Sequence, residues 1–160
     1  MFLDAKKFRE ALSTFATGVT VVTTRDGDGE SVGMTASSFN SVSMSPPLIL
    51  WSVGKNAKSA SAFKDAKYFS VHVLSSNQIE ISNRFATSGA DKFKNTDHII
   101  NENNVPLISD CTSRFDCKKY AVHDGGDHWI ILGEVLTFED SKQEGLVFSG
   151  GLYATATLIK

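Results

Sequence analysis

The sequence is poor in cysteine, in proline and in net charge. It has two cysteines, Cys111 and Cys117, and three prolines among 160 residues. The two cysteines form neither a CxxC pair nor a zinc motif, and a disulfide between them would close a very short loop. Both are therefore predicted to be free thiols. Sixteen Lys plus Arg against 18 Asp plus Glu leave a formal charge of −2, which gives no general electrostatic reason to bind nucleic acid or an anionic membrane.

Targeting segments and standard catalytic or metal motifs are also lacking. Charged residues between Asp4 and Glu10 interrupt any signal-peptide core, so a cytoplasmic location is expected. The four histidines show neither HxH nor HExxH spacing, and no metal site is predicted. The glycines from Gly27 to Gly33 miss the dinucleotide fingerprint by one residue and join two predicted strands, whereas that fingerprint opens a helix. Ser52 and Lys55 fit an SxxK pattern, but neither SDN nor KTG follows.

The composition is that of an ordinary folded protein. Hydrophobic residues make up 41% of the chain, and 12 glycines bring the apolar share close to half. This length is typical of one compact unit, so a single domain over residues 1–160 is predicted. A chain of this size needs no disulfide or metal to stabilise its core.

The hydrophobic patterns predict more strand than helix. An amphipathic helix over residues 4–16, capped by Asp4 and ended near Gly18, is expected to pack on a sheet. A second helix is predicted over 77–85, and the polar stretch 88–110 has no clear pattern. The strands do not alternate with helices of 10–15 residues, which favours a mostly antiparallel β-barrel with peripheral helices. The predicted strands cover 19–24, 48–53, 68–74, 115–122, 128–138 and 146–158, with the fourth and fifth forming a hairpin across 123–127.

One segment has an unusual composition. Residues 31–54 form a run of 24 residues without a charge, yet this run contains seven serines, Thr35 and Asn40. Buried hydroxyls without partners are unfavourable by about 1–3 kcal/mol each, so such a run suits either a solvated loop or the surface of a neutral polar ligand. Lys55, Lys58 and Arg84 follow it. Hydroxyl donors with cations nearby would fit a phosphorylated but otherwise neutral planar cofactor.

Several sequence blocks resemble the short-chain flavin reductases, the reductase components of two-component flavin monooxygenases. The main block is GMTASSF at 33–39, followed by SVS at 41–43 and PPL at 46–48. The further blocks lie along nearly the whole chain: Phe8-Arg9, residues 15–21, Phe69 to Val71, Asn83 to Ala86, Gly126 to His128, and Gly151-x-Tyr153. The resemblance implies a mainly β, antiparallel, Greek-key-like FMN-binding split β-barrel. It also implies a homodimer that uses NADH or NADPH to reduce FMN or FAD for a separate oxygenase.

The same resemblance implies which residues contact the flavin. Thr35, Ala36, Ser37 and Ser38 correspond to the cradle for the ring and the ribityl chain, and the alternative for Ser37 and Ser38 is capping of a local turn. Arg84 is the preferred phosphate partner because guanidinium binds phosphate in a bidentate way, and its alternative is an exposed helix cation. The complete predicted flavin set is Met34, Thr35, Ala36, Ser37, Ser38, Ser52, Val53, Lys55, Ser59, Asn83, Arg84 and Phe85.

His128 and Tyr153 match positions that the resemblance associates with the nicotinamide nucleotide. An imidazole could donate to a carboxamide or a phosphate, and Tyr153 could close the same pocket. No residue is needed as acid or base, since flavin N1 can exchange protons with water. The alternative to an enzyme is a carrier or sensor that holds FMN permanently on the same barrel. A pyridoxamine-phosphate-oxidase-like enzyme on a related barrel lacks support from these blocks.

Overall fold

The computed structural model describes residues 3–89 and 91–159. Within these ranges the chain forms three helices, α1 (Ala5–Ser13), α2 (Ala60–Asp65) and α3 (Ile79–Ala86). None of these helices combines the length and apolar character that crossing a bilayer requires. The strands in chain order are β1 (Thr17–Gly18), β2 (Thr20–Arg25), β3 (Ser31–Ala36), β4 (Asn40–Met44), β5 (Pro47–Gly54), β6 (Tyr68–Val73), β7 (His98–Ile100), β8 (Pro106–Ile108), β9 (Ser113–Gly125), β10 (His128–Asp140), β11 (Leu146–Ser149) and β12 (Leu152–Thr155).

Seven strands form the main antiparallel sheet, in the order β3-β2-β6-β9-β10-β5-β4. β3 and β4 are the two edges of this sheet, yet only three residues separate the end of β3 from the start of β4. So short a link spans at most about 15 Å, so the sheet must curl until its edges lie near each other. The result is a barrel that stays open between β3 and β4. The predicted fold class, an antiparallel split barrel, is confirmed.

Strand β2, next to the edge strand β3, is buried on both faces. Val22 belongs to the cluster inside the barrel, with Trp51, Phe63 and Phe69, whereas Val21 packs outside it in a second cluster below α3. The three threonines of β2 are also buried, and each donates its hydroxyl to a backbone carbonyl 2.6–2.7 Å away. Burial on both faces explains why this run does not alternate between apolar and polar residues.

A buried histidine joins β6 to its neighbours outside the barrel. His72 is fully buried, with Nδ1 3.0 Å from the carbonyl oxygen of Val21 and Nε2 accepting from the amide of Ile108 at 3.1 Å. This pattern requires a neutral imidazole with its proton on Nδ1. Burial is the main reason that the pKa of His72 falls from 6.5 to about 4.

Two local predictions are wrong. The first helix ends at Ser13 and buries none of its residues, so it does not pack on the sheet; Gly18 lies in β1. The second is the continuous strand over 146–158. Gly150 and Gly151 both have positive φ, 59° and 81°, and form the turn of a hairpin between β11 and β12. The two cysteines are free thiols, as predicted, and burial raises the pKa of each to about 12.

Candidate functional site

The free edge of β3 is the foundation of the site. Because β3 pairs only with β2, the amides and carbonyls on its other side are not used by the sheet. The carbonyl of Gly33 points to this free side, where Lys92 Nζ donates to it at 3.0 Å. Backbone groups two residues apart point the same way in a strand, so those of Thr35 also face the split. The edge therefore offers backbone donors and acceptors to a flat polar ligand.

A glycine at this edge allows helix α3 to come close. A Cβ on Gly33 would lie 2.5 Å from Cε1 of Phe85, a distance that side chains do not tolerate. Thr35 fixes the same approach, since its hydroxyl donates to the carbonyl of Ser82 in α3 at 2.6 Å. The helix and the strand thus form two adjoining walls.

Two cavities meet at Met34 and Thr35 on β3. The first, of about 480 Å³, is here named the hydroxyl cavity, and the second, of about 460 Å³, the lysine cavity. The hydroxyl cavity is lined by Met34, Thr35, Ala36, Ser37, Ser38, Ser52, Gly54, Gly125, His128 and Ile130. The lysine cavity is lined by Ser31, Val32, Gly33, Met34, Thr35, Ala57, Lys58, Ser59, Phe85, Ala86, Ser88, Gly89, Asp91, Lys92 and Phe93.

In the hydroxyl cavity, one serine spans the opening of the barrel. Ser38 Oγ accepts from the backbone amide of Ser52 at 2.8 Å and lies 3.2 Å from the carbonyl of the same residue. Ser38 follows β3 and Ser52 belongs to β5, so this contact fixes the width of the split. Within the described ranges, the hydroxyls of Ser37 and Ser52 make no hydrogen bond of their own, which leaves both for a ligand.

Two lysines face the lysine cavity, against one carboxylate from Asp91. Lys92 Nζ donates to the carbonyls of Gly33 at 3.0 Å and of Phe85 at 2.8 Å. An ammonium has three protons, so one remains for a ligand. Partial burial lowers the pKa of Lys92. Lys58 is exposed at the other side of the cavity. This end of the groove suits an anion.

His128 lies at the opposite end of the groove, where β10 begins. Its Nδ1 is 2.7 Å from Oδ1 of Asp127, and about half of its side chain is exposed. The hydrogen bond from His128 is the main reason that the pKa of Asp127 lies below its usual range. Asp127 is therefore an ionised acceptor at neutral pH.

Nine of the fourteen predicted contact residues line this groove: Met34, Thr35, Ala36, Ser37, Ser38, Ser52 and His128 line the hydroxyl cavity, and Ser59 and Phe85 line the lysine cavity. Most of the Phe85 ring is nevertheless buried in the cluster below α3. Both alternatives for Phe85, core residue and cavity wall, thus apply.

Five predicted residues line neither cavity. Val53 is buried in the barrel core. Lys55 Nζ lies 2.6 Å from Asp124 Oδ2 and 4.4 Å from the centre of the Trp129 ring, so its charge is used in the β9–β10 hairpin.

Of the other three, Asn83 and Arg84 belong to α3 and Tyr153 contacts this helix. Arg84 donates to the carbonyl of Asn95 at 2.6 Å and to the hydroxyl of Thr96 at 2.8 Å. Tyr153 shares hydrogen bonds of 2.8 Å with Ser82 and with Asn83. Arg84 and Tyr153 therefore hold α3 in place from outside the groove.

Sequence reasoning missed Lys92 and Phe93. Both come from the stretch 88–110, whose mixed polarity gave no periodic pattern. The available signal was chemical: hydroxyl donors with cations nearby predicted a phosphorylated ligand, and Lys92 is a further cation eight residues after Arg84. Among the described residues, no group of three His, Cys, Asp or Glu side chains is placed to hold a metal ion.

Comparison with known proteins gives consistent matches over nearly the whole chain. The model of the flavin reductase like domain matches residues 12–157. The FMN reductase (NADH) SmoA of Agrobacterium fabrum is 45% identical over 150 residues, which cover 94% of this chain and 85% of that protein. The reductase component of the flavin-dependent trigonelline monooxygenase of Acinetobacter baylyi is 40% identical over 94% of this chain, which spans about half (48%) of its length.

A solved structure agrees with the sequence matches. The NADH:FAD oxidoreductase SgcE6 of Streptomyces globisporus C-1027, in complex with NAD and FAD fragments, superimposes with a TM-score of 0.91 at 38% identity. The match covers 96% of this chain and 93% of that structure. With the open β3 edge, the two joined cavities and these matches in sequence and structure, the chain belongs to the flavin reductase like domain family.

Proposed function

We propose that this protein is an NADH-dependent flavin reductase that supplies reduced FMN or FAD to a separate monooxygenase component. In the reaction, NADH, a proton and oxidised flavin give NAD⁺ and reduced flavin. The observation that carries the proposal is the single groove, with a cation-lined end, a hydroxyl-lined middle and His128 at its far end. The names of relatives, an FMN reductase (NADH) and a monooxygenase reductase component, support the same reaction.

Each part of the flavin has a proposed place in the groove. The ring fits the hydroxyl cavity, where the backbone of Thr35 and the hydroxyls of Ser37 and Ser52 are available donors. Such donors stabilise the negative charge that reduction places near flavin N1. The phosphate end fits the lysine cavity, where Lys92 and Lys58 take the role predicted for Arg84 and Lys55. Bound flavin supplies the hydride acceptor, and the side chains bind and orient the reactants.

The surroundings of His128 favour NADH over NADPH. Asp127 and Asp124 are exposed carboxylates beside it, and the cation that contacts this turn, Lys55, is already paired with Asp124. A 2′-phosphate near this turn would meet net negative charge, since the turn residues in the described chain offer no free cation. NADH, which lacks that phosphate, avoids this repulsion.

The exposed position of the groove favours flavin as a diffusible substrate. Ser37, Ser38 and Lys58 are all exposed, so a bound flavin can leave without opening the fold. A permanently bound carrier flavin would need a more enclosed site. The test is to mix the purified protein with NADH and excess FMN or FAD, and to follow absorbance at 340 nm. Continuous NADH oxidation is expected, whereas a single stoichiometric bleaching would assign a carrier instead.

A matched pair of variants connects this turnover to the groove. Ser37→Leu fills the hydroxyl cavity and is expected to raise the KM for flavin at least about tenfold, because it blocks the ring site. Ser61→Leu adds the same side chain at an exposed position of α2 and serves as the control. Equal KM values for the two variants would contradict the placement of the flavin.

We also propose a homodimer, which the uncovered face of α1 supports. Phe8 and Leu12 lie one turn apart on this helix and are 48% and 58% exposed, and Phe15 just beyond it is 76% exposed. Contiguous exposed apolar side chains of this size are typical of protein interfaces. A second copy of the chain is the proposed partner. Light scattering after gel filtration should show a dimer that Leu12→Glu dissociates and Lys7→Glu, on the polar face, does not; a monomeric wild-type protein at micromolar concentration would overturn this.

The location follows from the electron donor and the thiols. NADH is an intracellular reductant, and two free cysteines fit a reducing compartment, so the cytoplasm is the proposed location.

A further inference from the structure

The imidazole of His128 has no lateral side-chain neighbour in the sheet. Its partner residue on β5 is Gly54, and its partner on β9 is Gly125. A Cβ added to Gly54 would lie 3.7 Å from His128 Nε2, so the ring stands beside open backbone on that side. About half of the side chain is exposed. Packing against the neighbouring strands therefore does not fix the orientation of this ring.

The side chain that does contact the ring is that of Asp127. Its Oδ1 lies 2.7 Å from His128 Nδ1. Since the carboxylate only accepts, Nδ1 carries the proton and Nε2 of the neutral ring carries the lone pair. With Nδ1 held outside by Asp127, Nε2 faces Gly54, which lines the hydroxyl cavity.

The turn that carries Asp127 is itself rigidly held. The amide of Lys55 donates to the carbonyl of Asp127 at 2.9 Å, and the amide of Gly126 donates to Asp124 Oδ1 at 2.9 Å. Lys55 Nζ then pairs with the second oxygen of Asp124 at 2.6 Å. Lys55, just after β5, and the hairpin thus fix the backbone of Asp127, from which its exposed carboxylate reaches His128 Nδ1.

We propose that Asp127 is a positioning residue, which holds His128 with the proton on Nδ1 so that Nε2 accepts a hydrogen bond from the carboxamide NH₂ of the nicotinamide. This inference rests on the proposed function, because it assigns the nucleotide to the His128 end of the groove. An imidazole without Asp127 would rotate and exchange its tautomer, so it would present the lone pair only part of the time. The expected consequence is weaker NADH binding with unchanged hydride transfer.

The first experiment needs no nucleotide. Long-range ¹H–¹⁵N correlation spectra of histidine-labelled protein at about pH 8 distinguish a protonated from an unprotonated ring nitrogen. The wild type should show His128 protonated on Nδ1, and Asp127→Ala should shift it towards the Nε2-protonated form. A wild-type ring protonated on Nε2 would overturn the proposal, whatever the protein catalyses.

The second experiment measures KM and kcat. Asp127→Ala should raise the KM for NADH about tenfold, the effect of one lost hydrogen bond, with kcat and the KM for flavin within about twofold. Asp127→Asn keeps an oxygen acceptor and should restore most of the loss. Asp28→Ala removes an equally exposed turn carboxylate far along the sequence and is the matched control.

Two comparisons separate positioning from other roles. Asp127→Ala in a His128→Ala background should have no further effect on the KM for NADH, since Asp127 acts through His128. Reduced 3-acetylpyridine adenine dinucleotide, which lacks the NH₂ group, should bind the wild type and Asp127→Ala equally. Additive losses in the double variant, or an equal loss with the analogue, would overturn the proposal. A wild-type protein that oxidises no NADH would overturn the proposed function. The spectra would still show whether Asp127 holds the proton of His128 on Nδ1.

Discussion

The interior of the barrel and its open edge both place a glycine against a phenylalanine, with different results. Inside the barrel, a Cβ on Gly133 would lie 2.5 Å from Cζ of Phe69, and the phenylalanine is enclosed by the core. At the edge, a Cβ on Gly33 would lie 2.5 Å from Cε1 of Phe85, but there the phenylalanine also borders the lysine cavity. The same close approach stabilises the barrel at one position and shapes a ligand groove at the other.

The two regions also differ in how their polar groups are used. In the covered strand β2, the hydroxyls of Thr20, Thr23 and Thr24 all bond to backbone carbonyls. Along the edge, Lys92 and the hydroxyls of Ser37 and Ser52 retain bonding capacity that the protein does not use. Satisfied polar groups indicate a structural role, and groups with capacity left beside a cavity indicate binding.

The two tryptophans give the largest expected contrast in stability. Trp51 is fully buried, and its ring packs edge-to-face with that of Phe63 at 4.8 Å between ring centres. Trp129 is partly exposed, and the ammonium groups of Lys55 and Lys64 lie over its ring. Trp51→Ala should lower the free energy of unfolding by about 3–5 kcal/mol because of the cavity that it creates. Trp129→Ala should cost about 1 kcal/mol, the loss of exposed cation–π contacts. Denaturant unfolding measures the loss of unfolding free energy in each variant. Similar losses would show that the barrel interior contributes no more to stability than the partly exposed surface does.

His72 predicts a loss of stability in acid. Its pKa in the folded protein, about 4, lies below the ordinary 6.5, so between these values the unfolded chain binds a proton that the folded one does not. Stability should therefore decrease as pH falls from 6.5 to 4, by about 3 kcal/mol from this residue. His72→Gln should abolish most of this slope and be less stable at pH 7. His123→Gln replaces an exposed histidine and should leave the pH dependence of stability unchanged. If it reduced this pH dependence as much as His72→Gln does, burial of His72 would not be its cause.

The two close-packed glycines separate stability from binding. Gly133→Ala and Gly33→Ala should each cost about 1–3 kcal/mol through overpacking. Only Gly33→Ala should also raise the dissociation constant for FMN, by about tenfold, because it moves α3 away from the groove. Gly27→Ala, where a Cβ meets no atom within 4 Å, is the control. If Gly133→Ala reduced the affinity for FMN as much as Gly33→Ala does, the loss of binding would be a consequence of lower stability and not of the moved helix.

The sequence predicted the strands that contain enough apolar residues to fill the core. β2 and β5 lie where β-branched and apolar runs predict them. β7 and β8 were missed because each has three residues, too few to show a period. The amphipathic pattern of α1 correctly predicts a helix with an apolar face. It does not show what covers that face, which is why the expected packing on the sheet is wrong.

The site was predictable where it is local in sequence. Met34 through Ser38 belong to the uncharged run and to the sequence block that resembles the flavin reductases, and they line the groove together. Lys92 was not predictable, because it reaches Gly33 from 59 residues away through a loop without a pattern. Arg84 and Lys55 had the right charge close to the right segment, but tertiary contacts with Asn95 and Asp124 bind those charges elsewhere.

The most direct test of the groove as a flavin site compares FMN with riboflavin, which lacks the phosphate. Calorimetric titration of the wild type should give about tenfold tighter binding of FMN, since Lys92 has one proton left for the phosphate. Lys92→Met should remove most of this difference, because only the exposed Lys58 then remains beside the phosphate. Lys94→Met, on an exposed lysine two residues away, should keep the difference. A variant that damages the groove in general weakens the binding of both ligands, so the ratio of their dissociation constants stays unchanged. A Lys92→Met protein that still prefers FMN tenfold would contradict the placement of the phosphate, and with it the joined cavities as one flavin site.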